Sequence, residues 1–257
     1  MRFVLVHGGF HGAWCWERVV PELRRLGHEA IAIDLPGHGQ RASERSTLAD
    51  RRDAIVAILE PGDVIVGHSG GGYDMTLAAD AAPGLVRHMV YLAAGLPIEG
   101  KTVLDATGGA TAPASGSQQV TQLMDDETGM TAFIRPGARG RMECVDFAGV
   151  RDFFYHDCDE ATARWAYSLL TPAPTEFLTE TVTLTEFWNA NLPSSYIRCL
   201  DDRAKPASAS REVIRRLGVH PLTIGGSHSP FLSRPAELAA LLVHATTTAP
   251  AGPLLPA

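Results

Sequence analysis

One serine in this sequence has the neighbours that a nucleophile needs. The motif GHSGG at residues 67–71 follows the apolar run 64–66 and precedes residues 73–82, a segment compatible with a helix. A serine on a tight turn between a strand and a helix adopts a strained backbone conformation that exposes its hydroxyl, and the flanking glycines leave room for the turn. The pattern predicts that Ser69 is a nucleophile.

A serine hydroxyl is too weak an acid to react alone, so the chain must also supply a base. The chain has ten histidines. His228 lies in the glycine-containing loop 225–230, after the strand-like run 221–224 and before a final helix predicted over residues 235–245. A histidine on such a loop can turn its ring toward the serine, and we predict His228 as the general base.

The base in turn needs a carboxylate that holds its ring in the correct tautomer. The strand-like run 195–200 is followed by Asp201 and Asp202. The chain order of serine, aspartate and histidine is the one in which such groups meet on a parallel sheet. Because adjacent residues point in different directions, only one of the two aspartates can face His228, and the pattern alone leaves the choice open.

A glycine-rich loop near the N-terminus indicates how a negatively charged oxygen would be stabilised. The apolar run 3–6 is followed by HGGFHGAW at residues 7–14. We predict that the backbone N–H groups of Gly9 and Gly70 form a two-donor oxyanion hole. A phosphate-binding role for this N-terminal loop is disfavoured, because the loop contains no G-x-G-x-x-G and no G-K-S/T follows it.

The composition is that of an ordinary globular protein with one large core. The chain has 257 residues, of which 45% are hydrophobic and 20% charged, and its net charge is −7. This charge argues against binding to nucleic acid or to an anionic membrane. The four scattered cysteines include no C-x-x-C pair, so neither a zinc site nor a disulfide framework is expected.

The remaining expectations concern location and partners. We expect no metal or organic cofactor, and no nucleic acid or membrane as a partner. No secretory signal pattern and no apolar stretch long enough to cross a bilayer is found, which favours the cytoplasm. The oligomeric state is left open, a homodimer included.

Short apolar runs alternate with helical patterns in the first third of the chain, and this rhythm resumes near residue 195. Such alternation predicts an α/β fold with a mostly parallel sheet and helices on both faces. We assign the core to residues 1–96 and 192–246, an inserted and mainly helical lid to 97–191, and a flexible tail to 247–257. The lid opens on a run rich in small residues, 107–117.

The predicted lid is rich in aromatic residues, with ten of the eighteen in the chain. A lid of this kind can provide an apolar wall over a polar catalytic centre. Many of these rings must pack the lid onto itself, and only a minority is expected to touch a substrate. The residues expected to line the pocket are Phe10, His11, Phe154, Tyr155 and Trp165.

These motifs give the chain a resemblance to the α/β-hydrolases over essentially its whole length. Together with DLPGHG at residues 34–39, the segments 7–14 and 67–71 resemble a compact subgroup that includes plant methylesterases, hydroxynitrile lyases and bacterial pyrethroid-type carboxylesterases. The resemblance implies that Asp202 is the acid, because the family acid is the second carboxylate of the pair. The segment 154–165 resembles the lid of the bacterial esterases.

Departures within this subgroup indicate which reaction to expect. Hydroxynitrile lyases of this kind carry a threonine at the position of Gly8 and a lysine at the position of Ser229, and a neutral serine cannot hold cyanide electrostatically. Haloalkane dehalogenation would require an aspartate in place of Ser69. The resemblance therefore implies a serine carboxylesterase that acts on a small, largely apolar ester through an acyl-enzyme. The alternatives are a ligand-binding receptor with little turnover, and a carbon–carbon bond lyase or lactonase using the same triad.

Overall fold

Six parallel strands form the central sheet of the protein, which a computed structural model describes over residues 1–106, 130–205 and 207–247. The strands of this sheet are β1 (Arg2–Val6), β2 (Glu29–Ile33), β3 (Asp63–His68), β4 (Val86–Leu92), β7 (Ser194–Cys199) and β8 (Pro221–Ile224). Their order across the sheet is β2-β1-β3-β4-β7-β8. A separate antiparallel pair consists of β5 (Ile134–Pro136) and β6 (Met142–Cys144).

Helices cover both faces of the sheet. They are α1 (Val19–Arg25), α2 (Leu48–Val56), α3 (Gly71–Ala81), α4 (Val103–Ala106), α5 (Phe147–Phe154), α6 (Glu160–Leu169), α7 (Phe187–Ala190), α8 (Ala207–Leu217), α9 (Pro230–Ser233) and α10 (Pro235–Thr247). Helices α1 and α10 pack on one face, and α2, α3 and α8 pack on the other. Within the described ranges, no helix combines the length and apolar character needed to cross a bilayer.

The apolar strands are buried on both sides, which explains why they read as continuous apolar runs. In β1, Phe3 and Leu5 belong to the core cluster under α1 and α10, whereas Val4 and Val6 belong to the cluster under α2 and α3. The predicted fold class is confirmed by this arrangement.

The carboxyl ends of the strands open at one edge of the sheet, where ligands of such folds bind. The last residues of β1 and β3 lie side by side, with Val6 opposite Gly67, and Cys199 of β7 lies opposite Ile224 of β8. The loops that carry the predicted oxyanion hole, nucleophile, acid and base therefore all leave the sheet at this edge.

The region between β4 and β7 contains more than helices. An antiparallel hairpin, β5–β6, precedes α5. Arg139 and Gly140 adopt positive φ angles of 56° and 70°, which let the chain reverse between the two strands. Helices α5 and α6 each begin at an aspartate, Asp146 and Asp159, whose side chain accepts a hydrogen bond from a backbone N–H in the first turn.

One predicted boundary differs from the structure, and two predicted segments lie outside the residues that the structure describes. The final helix extends to Thr247, beyond the predicted end at residue 245, because Thr246 packs against the body and its hydroxyl donates to the carbonyl of Val243. The run 107–117 and the rest of the predicted tail, 248–257, lie outside the described residues.

A buried ion pair joins the two helices beside the nucleophile turn. Arg51 of α2 donates to both carboxylate oxygens of Asp74 in α3 at 2.7 Å, and the two side chains are only 2% and 1% exposed. The guanidinium also lies 4.3 Å from the ring centre of Phe177, in the segment between β6 and β7. The pair therefore links α3 both to α2 and to the inserted region.

We predict that Asp74→Asn lowers the free energy of unfolding by about 3–5 kcal/mol, because it leaves the Arg51 charge buried without its partner. The matched control is Glu212→Gln, which breaks the exposed Arg215–Glu212 pair and should cost less than about 1 kcal/mol. Urea unfolding monitored by circular dichroism measures both. Equal costs for the two variants would contradict the prediction.

Candidate active site

Ser69 occupies a turn whose backbone is strained. The residue has a φ of 52°, in the left-handed region, between the end of β3 at His68 and the start of α3 at Gly71. Its N–H donates to the carbonyl of Leu92, and its carbonyl accepts from the N–H of Gly95, both at 3.0–3.1 Å. These bonds hold a conformation that a non-glycine residue rarely adopts.

The glycines on either side of this turn are required by space. A Cβ atom at Gly71 would lie 2.5 Å from the carbonyl oxygen of His7, and one at Gly67 would lie 2.7 Å from the sulfur of Met75. A Cβ atom at Gly8 would lie 2.8 Å from the Cβ of Ser69 itself. The loop after β1 therefore passes directly against the serine.

His228 and Asp202 form a buried hydrogen-bonded pair. His228 Nδ1 lies 2.8 Å from Asp202 Oδ2, and the two side chains are 2% and 5% exposed. The other carboxylate oxygen accepts from the N–H groups of Ala204 and Lys205 at 2.8 and 2.9 Å. Because the carboxylate can only accept, Nδ1 carries the proton, and Nε2 is free to act as a base.

The charge of this carboxylate is stabilised by its partners. Burial by itself raises the pKa of Asp202, but the imidazole of His228 and the two backbone N–H groups outweigh burial and hold this pKa below the ordinary 3.8. Asp201 has a different place, because its Oδ2 accepts from the N–H of Gly226 at 3.1 Å. Of the two aspartates that the sequence left open, the structure pairs Asp202 with His228.

The serine and histidine segments are in contact through the residue before the serine. His68 Nε2 donates to the carbonyl of His228 at 2.9 Å, and the two imidazole centres are 4.5 Å apart. Within the described residues, no hydrogen bond joins the Ser69 hydroxyl to His228 Nε2. Catalytic hydrogen bonds in ligand-free enzymes are often long and tighten only when substrate binds.

The backbones of Gly9 and Gly70 lie close to each other. The nitrogen of Gly9 lies 3.7 Å from the position that a Cβ atom would take at Gly70. Within the described part of the chain, neither N–H donates a hydrogen bond. Gly70 is also the N-cap of α3, where the helix dipole favours negative charge. Two free donors near one point can bind an oxyanion.

His7 fixes the peptide that carries one of these donors, a role that the sequence analysis missed. Its Nε2 accepts from the N–H of Leu35 at 3.0 Å, so its Nδ1 bears the proton and donates to the carbonyl of Gly8 at 2.8 Å. Burial lowers the pKa of His7 to about 3, so the ring stays neutral. With the Gly8 carbonyl held, the N–H of Gly9 on the same peptide faces the opposite way.

The predicted pocket residues divide into two groups. The ring of Phe154 lies 5.9 Å from that of His228, and Trp165 packs edge-on against Trp14 at 5.4 Å. Phe10 follows Gly9, has a φ of 65°, and its carbonyl accepts from the N–H of Thr171 at 2.9 Å. For these three residues, pocket lining stays a prediction, and Trp14 is an aromatic neighbour that the sequence analysis missed.

His11 and Tyr155 lie behind the site surface. They are 1% and 0% exposed, and their polar atoms are engaged: Tyr155 OH lies 2.7 Å from His11 Nε2, and His11 Nδ1 lies 2.8 Å from the carbonyl oxygen of Gly9. Burial lowers the pKa of His11 to about 4. For these two residues, too, pocket lining stays a prediction.

The described residues contain no group of three or more histidine, cysteine, aspartate or glutamate side chains placed to hold a metal ion.

The imidazole of His68, like that of His11, is buried, which lowers its pKa well below the ordinary value. The ring of His228, in contrast, contacts the carboxylate of Asp202. The site therefore combines an imidazole polarised by a carboxylate with a nearby imidazole that burial keeps neutral.

Comparisons with known proteins agree with this geometry. A family model described as the alpha/beta hydrolase family matches residues 3–241. Methylesterase 9 of Arabidopsis thaliana is 30% identical over 92% of the chain and 94% of that protein. The structure of an extracellular alpha/beta-hydrolase from a Paenibacillus species, described as sharing structural and functional homology with tobacco Salicylic Acid Binding Protein 2, has 25% identity and a TM-score of 0.77, covering 96% of the chain and all of that structure.

Other curated relatives are matched over only part of their length. The chain spans 57% of a chloroplastic methylesterase from Arabidopsis thaliana, and its match to the rice esterase PIR7B, 43% identical over 109 residues, covers 41% of that protein. The predicted resemblance to the subgroup that contains plant methylesterases is confirmed.

We predict a strongly deshielded proton NMR signal from His228 Nδ1–H, because its 2.8 Å bond to Asp202 is buried. Since the pKa of Asp202 is held below its ordinary value, the carboxylate is ionised at neutral pH, and the signal is lost only when the pH falls through this lowered pKa. The signal should vanish in Asp202→Asn and remain in the control Asp201→Asn. Loss of the signal in the control would mean that Asp201 holds the imidazole.

Proposed function

The chain belongs to the alpha/beta hydrolase family, and we propose that it is a serine carboxylesterase that hydrolyses small, largely apolar esters through an acyl-enzyme. The observation that carries the proposal is the buried 2.8 Å bond between His228 and Asp202 beside a serine with left-handed backbone. The methylesterase and esterase names of the relatives support carboxylic ester hydrolysis as the class of reaction.

In the proposed first half-reaction, the Ser69 oxygen attacks the ester carbonyl carbon, and His228 Nε2 takes the serine proton. Asp202 keeps the proton of the neutral imidazole on Nδ1 and stabilises the imidazolium that forms. When the substrate fills the site, the Ser69 hydroxyl and His228 Nε2 come within hydrogen-bonding distance, and the attack follows. Collapse of the tetrahedral intermediate breaks the ester C–O bond, and the imidazolium gives its proton to the leaving alkoxide.

The second half-reaction hydrolyses the acyl-enzyme. Water attacks the acyl carbon while His228 Nε2 accepts a proton, and the Ser69 oxygen leaves with that proton, which releases the carboxylic acid. In both halves the negative oxygen is held by the N–H groups of Gly9 and Gly70, which are free of other acceptors in the described part of the chain. Removing one such donor typically costs on the order of 100- to 1,000-fold in rate.

The surroundings of Ser69 favour a neutral substrate with an apolar acyl or alcohol group. Phe154 lies against the ring of His228, and Phe10 follows the proposed oxyanion donor. The nearby imidazoles of His7 and His11 are neutral because burial lowers their pKa to about 3 and about 4. Methyl, aryl and lactone esters fit this description.

Cyanohydrin cleavage is disfavoured by the same surroundings. A side chain at Gly8 would start 2.8 Å from the Cβ of Ser69 and would crowd the nucleophile. Ser229, which follows the proposed base, is neutral and fully buried, so it supplies no positive charge for a cyanide anion.

A small ester is the partner that this proposal requires. Location in the cytoplasm stays a prediction from the sequence.

We predict that the purified protein releases p-nitrophenol from short p-nitrophenyl esters and that a fluorophosphonate probe labels Ser69, because both reactions require an activated serine. Ser69→Ala should abolish the labelling and the turnover while leaving the circular dichroism spectrum unchanged. Absence of both labelling and turnover in the wild type would overturn the proposal. Tight binding of an ester that is neither cleaved nor affected by Ser69→Ala would indicate a receptor instead.

We further predict that Asp202→Asn lowers kcat by on the order of 1,000- to 10,000-fold, because the imidazole loses the carboxylate that fixes its tautomer. The matched control is Asp201→Asn, whose amide oxygen can still accept from the N–H of Gly226. Steady-state assays with one p-nitrophenyl ester compare the two variants. A loss of similar size in the control would contradict the assignment of Asp202.

A further inference from the structure

A hydrogen-bonded relay connects the lid to the loop that carries Gly9. Tyr155 OH lies 2.7 Å from His11 Nε2, and His11 Nδ1 lies 2.8 Å from the Gly9 carbonyl oxygen. A carbonyl oxygen can only accept, so the proton of the His11 imidazole must be on Nδ1. Nε2 is then an acceptor, and the Tyr155 hydroxyl must be the donor. The Gly9 carbonyl therefore determines that Nδ1 carries the proton, and the lid tyrosine supports this tautomer by donating to Nε2.

Gly9 depends on outside restraints for its orientation. It has no side chain, and a Cβ atom at this position would meet nothing within 4 Å. The peptide before Gly9 is held at its carbonyl by His7, and the peptide after it is held at its carbonyl by His11. Because glycine explores backbone angles freely, both peptides must be held for its N–H to keep one direction.

The lid segment that contains Tyr155 is held in place by its neighbours. His156 Nε2 donates to the carbonyl of Asp201 at 2.9 Å, in the loop that precedes the proposed acid. Asp152 pairs with Arg203 in the same loop. These contacts lie on both sides of Tyr155 in the sequence, so its hydroxyl is fixed against His11 rather than carried by a freely moving lid.

We propose that Tyr155 and His11 are positioning residues for the oxyanion hole. The tyrosine hydroxyl donates to His11 Nε2 and so stabilises the tautomer whose Nδ1–H holds the Gly9 carbonyl. With the peptide after Gly9 held in this way, the Gly9 N–H points at the developing oxyanion. This inference rests on the proposed esterase function. Both side chains are almost completely buried and their polar atoms are bonded to each other and to the Gly9 carbonyl, so they act on the reaction through Gly9. The relay persists at assay pH, because burial keeps the pKa of Tyr155 well above and that of His11 well below neutrality.

Two substitutions of His11 separate positioning from packing. Asparagine places an amide N–H donor where Nδ1 stands and can still hold the Gly9 carbonyl. Glutamine places its amide where Nε2 stands and cannot. Since both remove the aromatic ring, they perturb packing in a similar way and differ in the one hydrogen bond that the inference requires.

We predict that His11→Gln and Tyr155→Phe lower kcat by on the order of 10- to 100-fold, less than outright loss of an oxyanion donor, with KM within about twofold. His11→Asn should retain most of the kcat that His11→Gln loses. The control is Tyr167→Phe, which removes a lid hydroxyl bonded to the carbonyl of Cys144 and should leave kcat unchanged. The inhibition constant of a trifluoromethyl ketone, which forms an oxyanion on Ser69, should rise in parallel with the loss of kcat.

Several outcomes would overturn the inference. These are equal kcat values for the asparagine and glutamine variants, a rise in KM with kcat unchanged in Tyr155→Phe, or unchanged trifluoromethyl ketone affinity. If neither His11 variant folds by circular dichroism, Tyr155→Phe with the ketone decides alone. Wild-type protein without ester turnover or Ser69 labelling would refute the proposed function, whereas normal turnover in Tyr155→Phe would refute only the inference.

Discussion

The left-handed backbone of Ser69 is the constraint on which the rest of the site depends. A serine in this region is strained, and it stays there because its N–H and carbonyl are bound to the strand and loop beside it. The turn has no space for side chains at Gly67 or Gly71, and Gly8 passes so close that a methyl group there would meet the serine. The backbone position of Ser69 is therefore fixed, and the other groups of the site must be positioned around its hydroxyl by the rest of the fold.

The parallel sheet and the lid bring those groups together in different ways. Parallel strands end at one edge, so the loops after β1, β3, β7 and β8 converge there whatever their separation in sequence. The lid then contacts two of these loops from outside, through Tyr155 on His11 and His156 on the carbonyl of Asp201. The region predicted as a lid therefore also supports the loops that carry Gly9 and Asp202.

Burial also organises the charges around the serine. Desolvation lowers the pKa of His7, His11 and His68, so these imidazoles act as fixed dipoles with one donor and one acceptor each. Asp202 is kept ionised by His228 and by backbone N–H groups. The proposed acyl transfer requires such an arrangement, because in that reaction positive charge develops on His228 and negative charge on a substrate oxygen.

The sequence by itself determined the order of strands and helices, the strained turn at Ser69 and the loop histidine, because these follow from apolar periodicity and from glycine positions among near neighbours. The residue pattern left the choice between Asp201 and Asp202 open and the resemblance implied Asp202, but only the tertiary structure shows the bond to His228, since the direction of a side chain after a strand depends on the loop that packs against it. The tertiary structure also decided the partner of His11, whose imidazole is bonded to Tyr155. That partner is 144 residues away, and no local pattern encodes which distant groups a folded chain brings within hydrogen-bonding distance.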